Sequence, residues 1–393
     1  MTNHSKLIGA ILIVAGTAIG AGMLALPLAT AAIGFWPAMA LMLGTWGFAA
    51  YSALIMLEVN LKVGSTCNYH HITGQVLGRN GQLVAMASMM ALLYALTAAY
   101  LSGGGSLLAL KLAGVMTLPT GMGPLLFAVF VGSVAALGVK YIDQLTKVLF
   151  LIMMAALAVV LLGLLPQVEL ANVGVTRSSD VSGYMAVLPV LITSFGFHAS
   201  IPTLVRYLDG DVKQLRIALV SGSTLPLLCY ALWLLAALGS LSAAERVALS
   251  DGDALAAMIA LLSDKALWQG LSPALQLFAD LALVTSFLGV SLSLFDYLTE
   301  LFRMGSNAKG RIATWALTFL PPLALALFFP GGFVAVLGYA AVPLVVLMVL
   351  LPALMAAKLR TQQSGYQVTG GKVGLALAAL VGLVVIVAQV QVA

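Results

Sequence analysis

Long apolar stretches recur along this chain, separated by short runs that hold most of its charged and turn-forming residues. Each stretch is close to the roughly 20 residues that cross the hydrocarbon core of a membrane as a helix. The segments are 7–33, 35–60, 82–110, 122–139, 145–166, 184–205, 215–240, 272–302, 311–329, 332–357 and 373–393. Because a backbone in lipid must satisfy its own hydrogen bonds, and the spacing does not fit a barrel, the pattern predicts an all-α membrane protein with about eleven transmembrane helices.

Composition excludes a soluble protein and charge predicts an orientation. Of 393 residues, 62% are hydrophobic and 8% are charged, whereas soluble domains carry about 25% charged residues. Four of the 18 Lys and Arg residues fall on one side of the eleven predicted spans, and the remaining 14 fall on the side of the N-terminus. The four are Lys111, Arg177, Arg246 and Lys265. This bias predicts a cytoplasmic N-terminus and a periplasmic C-terminus, and it argues against nucleic acid as a partner.

One predicted connection, 241–271, is longer than the others. Four apolar residues in it repeat at helical spacing behind a candidate N-cap at Ser250-Asp251, namely Leu255, Met258, Ile259 and Leu262. The pattern predicts a short helix that either rests on the bundle or acts as a lid over a vestibule.

The first and sixth segments carry helix-weakening residues at mid-span. Residues 15–22 are small and rich in glycine, with Pro27 after them, and residues 193–201 are followed by Pro202. In a helix interior glycine costs about 1 kcal/mol and proline about 3 kcal/mol relative to alanine, so local unwinding is expected at both places. Close packing against a neighbouring helix is the alternative for either segment taken alone.

The positions of these two segments suggest an internal repeat. If the chain consists of two five-span repeats, its first and sixth spans are equivalent, and a repeat with an odd number of spans must be inverted in the membrane. Broken helices at matching positions of inverted repeats indicate a transporter binding site. We therefore predict a single membrane domain over 1–393, with repeat one at about 7–166, repeat two at about 184–357 and an extra helix at about 373–393.

Main-chain groups freed at such breaks suit a zwitterionic substrate. Amides at the N-terminus of a half-helix bind a carboxylate, and free carbonyls bind an ammonium group or a small cation. The predicted substrate-binding residues at the breaks are Thr17, Gly20, Ala21, Gly22, Thr193, Ser194, Phe195, Gly196, Phe197 and His198, with Tyr94 and Tyr100 as further pocket aromatics. Aromatic residues in spans more often serve packing, and His198 could be a satisfied interior residue, a proton carrier or a hydrogen-bond donor to a substrate hydroxyl.

Polar groups at membrane depth are candidates for ion coupling. Asp280 and Asp296 lie in the eighth segment, where Thr285 and Ser286 also place two hydroxyls together. Carbonyls of the first break, at Ala15 and Ala18, could complete a sodium-like site with these hydroxyls, although such hydroxyls usually bond their own helix. The chain has no HExxH, GxSxG or Walker motif and no Cys/His metal cluster, so we predict neither an enzyme nor a cofactor. Transport must then use a gradient of H⁺ or Na⁺, or run downhill.

Five stretches carry a family resemblance that covers nearly the whole chain. They are IVAGTAIGAGMLALPLA (13–29), YALTAAYLSGGG (94–105), TSFGFHASIPTLVRYLDGD (193–211), LFADLALVTSFLGVSLSLFDYLTELF (277–302) and TFLPPLALALFFPGGFVAVLGYA (318–340). In order and content they resemble the bacterial hydroxy and aromatic amino acid permeases of the amino acid–polyamine–cation superfamily. The resemblance implies a leucine-transporter-type fold, two inverted five-helix repeats with broken first and sixth helices. It also implies proton-driven import of L-tyrosine across the bacterial inner membrane.

Carried onto this chain, the resemblance implies roles for the residues at both breaks. The substrate carboxylate would face residues 20–22, and the amine and ring would face residues 193–198. Thr285-Ser286 resembles the hydroxyl pair of a sodium site in sodium-coupled relatives. A sodium-coupled carrier, a carrier preferring tryptophan or phenylalanine, and an ion channel are the alternatives. The expected partners are an aromatic amino acid and the lipid bilayer, and the protein is expected to be a monomer.

Overall fold

In the computed structural model the chain folds into helices joined by short connections. The structure describes residues 3–64, 69–113, 115–116, 118–119, 121–135, 139–176, 180–249, 253–305, 307–329, 332–362 and 365–392. The helices of the first half are α1 (Asn3–Ala18), α2 (Gly22–Thr30), α3 (Phe35–Val63), α4 (Tyr69–Leu112), α5 (Met122–Ala135), α6 (Val139–Leu164) and α7 (Leu170–Val173). Those of the second half are α8 (Val181–Ser194), α9 (Ile201–Tyr207), α10 (Val212–Ser240), α11 (Ala243–Ala248), α12 (Ala254–Asp264), α13 (Leu271–Leu301), α14 (Ala308–Phe328), α15 (Phe333–Tyr339), α16 (Ala341–Val345), α17 (Leu351–Arg360) and α18 (Gly371–Val392).

The helices confirm a multi-pass membrane protein. Within the described residues, nine helical stretches are long and apolar enough to cross a membrane, and the bent pair α1 and α2 makes a tenth. Each corresponds to one predicted segment. The remaining segment, 122–139, forms α5, whose 14 described residues are shorter than a full span. The count of eleven therefore stays a prediction, as does the inverted repeat.

Two predicted connections contain helices, one that was not expected and one that was predicted. The structure has α4 beginning at Tyr69, inside the predicted connection after residue 60, with a kink at Gly78, whose φ of 74° favours glycine. In 241–271 the predicted short helix is confirmed as α12, whose four periodic apolar side chains are buried. The Asp253 carboxylate caps this helix by accepting from the Ala256 N–H at 3.2 Å. The predicted cap at Ser250-Asp251 lies outside the described residues.

The first segment bends at its glycines, as predicted. Helix α1 ends at Ala18, α2 begins at Gly22, and their axes differ by 53°. The regular i to i−4 bonding reaches the Ile19 N–H, which donates to the Ala15 carbonyl at 2.9 Å, and the next bonds span three residues. The sixth segment is also interrupted, because α8 ends at Ser194 and a short 3₁₀ helix (His198–Ser200) precedes α9.

A buried charge cluster joins helix ends on the side of the bundle where α1 begins, which we call the basic end. The Glu58 carboxylate is fully buried near the end of α3. It accepts two hydrogen bonds, of 2.7 and 2.6 Å, from the guanidinium group of Arg360 on α17. It also accepts from the Val368 N–H at 2.9 Å and pairs with Lys62 at 3.4 Å. A buried carboxylate is stable only when it is paired and hydrogen bonded in this way. The cluster therefore fixes α3, α17 and the connection to α18.

Candidate functional site

A cavity of about 570 Å³ lies between the two interrupted segments. Its wall includes residues 16–22 of the first segment and, from the second, Thr193, Ser194, Gly196 and His198. It continues past Thr203 to Arg206 on α9, toward the basic end. Beyond the breaks toward the other end, fully buried side chains, among them Met23 and Trp233, fill the bundle. The cavity is thus open toward the basic end and closed toward the opposite end.

Helix α13 approaches the first break closely. The Ala21 N–H donates to the Ser286 hydroxyl at 2.9 Å. A Cβ on Gly20 would lie 2.4 Å from the Ser286 Oγ, and one on Gly22 would lie 3.1 Å from the Ser194 Oγ. A side chain at Gly20 would therefore displace the Ser286 hydroxyl, and one at Gly22 would be tight against Ser194.

Tyr230 of α10 connects the two breaks. Its hydroxyl lies 2.6 Å from the carbonyl oxygen of Ala18 and 2.8 Å from that of Ser194, the last residues of α1 and α8. The last carbonyls of a helix have no partner within that helix. The single hydroxyl proton is shared between them, and the Tyr230 ring is fully buried against Phe195. One side chain thus satisfies the ends of both half-helices and fixes their distance.

The same face of α10 also supports the start of α2. The Trp233 indole N–H donates to the Met23 carbonyl at 2.9 Å, and its ring packs edge-on against Phe278 of α13. Because Trp233 is fully buried, this contact belongs to the packing that closes the cavity toward the end opposite the basic end.

His198 lies in the cavity wall just after the second break. Its Nε2 is 2.8 Å from the hydroxyl of Ser52 on α3, and its ring stacks on Phe197 with centroids 4.8 Å apart. The side chain is 6% exposed. Its Nδ1 is buried and has no hydrogen-bond partner among the described residues.

Residues 3–389 match the tryptophan/tyrosine permease family. The chain belongs to this family. A "Tyrosine-specific transport system 1" of Haemophilus influenzae is 39% identical over 97% of this chain and 96% of its own. A "Tryptophan-specific transport protein" of the same organism is 35% identical over 98% and 96%, and a "Glutamine transporter 2" of Aliivibrio fischeri is 32% identical over 98% and 99%. The relatives are named as transport proteins, which agrees with the prediction that the chain is not an enzyme.

Several predicted aromatic residues of this permease lie away from the cavity. The Tyr94 hydroxyl donates to the Leu317 carbonyl of α14 at 2.9 Å, within a separate apolar cluster. Phe195 and Phe197 are fully buried and absent from the described cavity wall, because they pack on Tyr230 and on His198. Their placement indicates support of the breaks rather than substrate contact. Tyr100, in contrast, does line the cavity.

Most of the oxygens predicted for a sodium-like site of the permease take part in hydrogen bonds within the protein. The Ala15 carbonyl accepts from Ile19, and the Ala18 carbonyl from Tyr230. The Thr285 hydroxyl donates to the Leu281 carbonyl of its own helix at 2.7 Å. Thr17 and Thr285 line the cavity, as do Ala18 and Ser286, whereas Ala15 does not belong to its described wall. No group of three or more His, Cys, Asp or Glu residues that could hold a metal ion occurs in the described part of the chain.

The two predicted coupling carboxylates also lie outside the described cavity wall. Asp280 pairs with Lys111 of α4, toward the end opposite the basic end, so a cation on a neighbouring helix already balances its charge. Asp296 is exposed on α13, near the basic end. Their placement gives neither carboxylate a direct contact with a substrate in the cavity.

Sequence reasoning missed the residues that hold the breaks in place. Tyr230 and Trp233 stand three residues apart on α10, and Ser52 lies on α3, far along the chain from the breaks. The spacing of two aromatic residues with polar tips on one helix face was a usable signal, since each tip needs a partner in lipid. The sequence alone does not show which backbone carbonyl that partner is.

Proposed function

We propose that this permease imports an aromatic amino acid, in the first place L-tyrosine, across the bacterial inner membrane by proton symport. The cavity between the two helix breaks is the observation that carries the proposal. Its volume of about 570 Å³ is within the range of about 300–1,000 Å³ that is usual for small-molecule sites. Relatives named for tyrosine and tryptophan transport support an aromatic substrate.

The first break provides the carboxylate-binding part of the proposed site. Helix α2 begins at Gly22, and the backbone of residues 20–22 lines the cavity. The positive end of this helix dipole and the amides beside it favour an anionic group. Gly20 and Gly22 keep the backbone free of side chains, so that a carboxylate can approach it closely. The amine and the ring then face Thr193, Ser194 and His198 across the cavity.

The direction in which the cavity opens supports alternating access. The basic end holds most of the Lys and Arg residues in the predicted topology, so by the positive-inside rule it faces the cytoplasm. The structure then corresponds to an inward-facing state, and import requires a second state in which the packing around Met23 and Trp233 opens. Because Tyr230 binds both half-helices, we propose that the two breaks move together.

The bonding and placement of the oxygens predicted to bind sodium favour proton coupling over sodium coupling. The carbonyls of Ala15 and Ala18 and the hydroxyl of Thr285 have partners within the protein. Each of these oxygens keeps a lone pair, but a sodium ion needs several oxygens around one point, and Ala15 lies outside the described cavity wall. A proton needs no such coordination shell.

A second candidate substrate is glutamine, since one relative is named as a glutamine transporter. Tyrosine, tryptophan and glutamine differ in size and shape. All three, however, carry an O–H or N–H donor on the side chain, a property that phenylalanine and leucine lack.

Uptake into proteoliposomes tests this function. Purified protein is reconstituted, and labelled L-tyrosine is supplied under an inward proton gradient, an inward sodium gradient, or neither. We expect accumulation that depends on the proton gradient and is competed by tryptophan. Accumulation driven by sodium alone would refute the coupling, and no uptake of tyrosine, tryptophan or glutamine under any gradient would refute the function.

A matched pair of variants connects uptake to the breaks. Gly22→Val inserts side-chain atoms where Ser194 already lies 3.1 Å from a Cβ position, whereas Gly44→Val on α3 meets nothing within 4 Å. We expect the first variant to abolish uptake and the second to retain it. Equal uptake by the two variants would remove the first break from the site.

A further inference from the structure

The hydrogen bonds around His198 determine which of its ring nitrogens carries the proton. The fully buried Ser52 hydroxyl oxygen lies 3.0 Å from the Ala49 carbonyl oxygen and 2.8 Å from Nε2 of His198. We assign the hydroxyl proton to the carbonyl, because the Ser52 oxygen can then accept from an N–H on Nε2 and both contacts are hydrogen bonds. This assignment places the N–H of the neutral ring on Nε2.

This tautomer leaves Nδ1 as a bare acceptor. A neutral imidazole carries one N–H, so a protonated Nε2 means a lone pair on Nδ1. Nδ1 is buried and has no partner in the described part of the protein, while other atoms of the side chain line the cavity, so a substrate reaches Nδ1 only when the wall around it rearranges. Buried acceptors without a partner are uncommon, and a ligand can provide the missing donor.

We infer that His198 selects substrates whose side chain carries a hydrogen-bond donor, through acceptance of that donor by Nδ1. The inference rests on the proposed transport function and names the substrate class of the same site. The phenol O–H of tyrosine, the indole N–H of tryptophan and the amide N–H of glutamine meet the requirement. Phenylalanine does not, so it leaves Nδ1 without a partner in the closed, dehydrated site.

The chemistry predicts a specific order among tyrosine analogues. 4-Aminophenylalanine keeps a donor at the position of the phenol, whereas 4-fluorophenylalanine has nearly the same shape and no donor. Loss of one hydrogen bond that leaves a buried acceptor unpaired weakens binding by about 10- to 100-fold. We expect 4-aminophenylalanine to compete nearly as well as tyrosine. Phenylalanine and 4-fluorophenylalanine should compete about 10- to 100-fold less well.

The experiment is competition against labelled L-tyrosine, measured as equilibrium binding to the purified full-length protein and as uptake into proteoliposomes. Three proteins are compared: the wild type, His198→Phe and Ser102→Ala. The His198→Phe ring can still stack on Phe197 but has no acceptor. Ser102→Ala is the control, because Ser102 Oγ is likewise buried without a partner among the described residues but lies outside the described cavity wall.

We expect the preference of tyrosine over 4-fluorophenylalanine to be lost in His198→Phe, with binding of 4-fluorophenylalanine retained, and to be unchanged in Ser102→Ala. If His198→Phe does not fold, His198→Met is measured in its place, since a flexible thioether fills the same space without a strong acceptor. Equal competition by tyrosine and 4-fluorophenylalanine in the wild type would overturn the inference and leave the transport function intact. A preference that persists in a folded His198 variant would do the same. Absence of binding and uptake for all three natural substrates in the wild type would instead defeat the proposed function.

Discussion

The substitution Tyr230→Phe tests the connection between the two helix breaks. It removes one oxygen atom and keeps the ring, so the packing against Phe195 stays while the bonds of 2.6 and 2.8 Å to the last residues of α1 and α8 disappear. Both carbonyls are then buried without that partner. If the hydroxyl fixes the two half-helices, both stability and uptake must fall.

The magnitude of the effect follows from the number of protons involved. One hydroxyl proton is shared by two acceptors, so the loss is closer to one hydrogen bond than to two. Leaving a buried acceptor unsatisfied costs about 1–3 kcal/mol. If about 1–2 kcal/mol of this cost destabilises the arrangement that binds substrate relative to other arrangements, the population of that arrangement falls by about 5- to 30-fold. Uptake at low tyrosine concentration should fall by the same factor.

The assay compares Tyr230→Phe with Tyr94→Phe in thermal unfolding and in tyrosine uptake. The control makes the same chemical change, but the Tyr94 hydroxyl donates to a single carbonyl away from the cavity. We expect the melting temperature to fall further in Tyr230→Phe, whose hydroxyl is fully buried, than in Tyr94→Phe, whose side chain is half-buried. Uptake should be clearly reduced for Tyr230→Phe alone. Equal values for the two variants would refute the role assigned to the hydroxyl.

Two further predictions concern the first break and the α11–α12 connection. Gly20→Ala should impair tyrosine binding, because its Cβ would lie 2.4 Å from the Ser286 Oγ. Gly44→Ala on α3 meets nothing within 4 Å, lies outside the described cavity wall and should bind normally, and isothermal binding measurements compare the two variants. Burial raises the pKa of Glu245, but hydrogen bonds from Lys265 and its own cap outweigh that effect and hold the pKa below its ordinary value. Its contribution to stability is therefore complete above the ordinary carboxyl pKa and lost as the pH falls through the lowered one. Hydrogen exchange of α11 (243–248) and α12 (254–264) should increase over that acidic range in the wild type and show no such pH step in Glu245→Gln.

The positions of the helices could be predicted because lipid imposes a strict rule on them. Apolar runs of sufficient length must be helical, and charged residues must lie at their ends, so ten predicted segments correspond to spans of the structure. The first break was predictable for the same reason, since glycine and proline act locally on the backbone. The start of α4 at Tyr69 was missed because a polar, interfacial helix does not have the hydropathy of a span.

The directions of side chains could not be predicted because they depend on neighbours that are distant in sequence. Phe195 and Phe197 flank the break in sequence, but their rings turn into the core, where Tyr230 and His198 pack on them. The residue type and depth of Asp280 predict a coupling group, but Lys111, 169 residues away in the chain, lies beside it and pairs with its carboxylate. Residue type and depth identified the polar groups, and tertiary contacts decided which of them face the cavity.

Binding of labelled L-tyrosine to the purified protein, in competition with tyramine and with tyrosine methyl ester, tests most directly whether backbone groups at the first break hold the carboxylate. Both competitors keep the phenol and the amine and lack the negative charge. The account predicts that neither displaces tyrosine at concentrations at which unlabelled tyrosine does so completely. Displacement by tyramine with the affinity of tyrosine would contradict it.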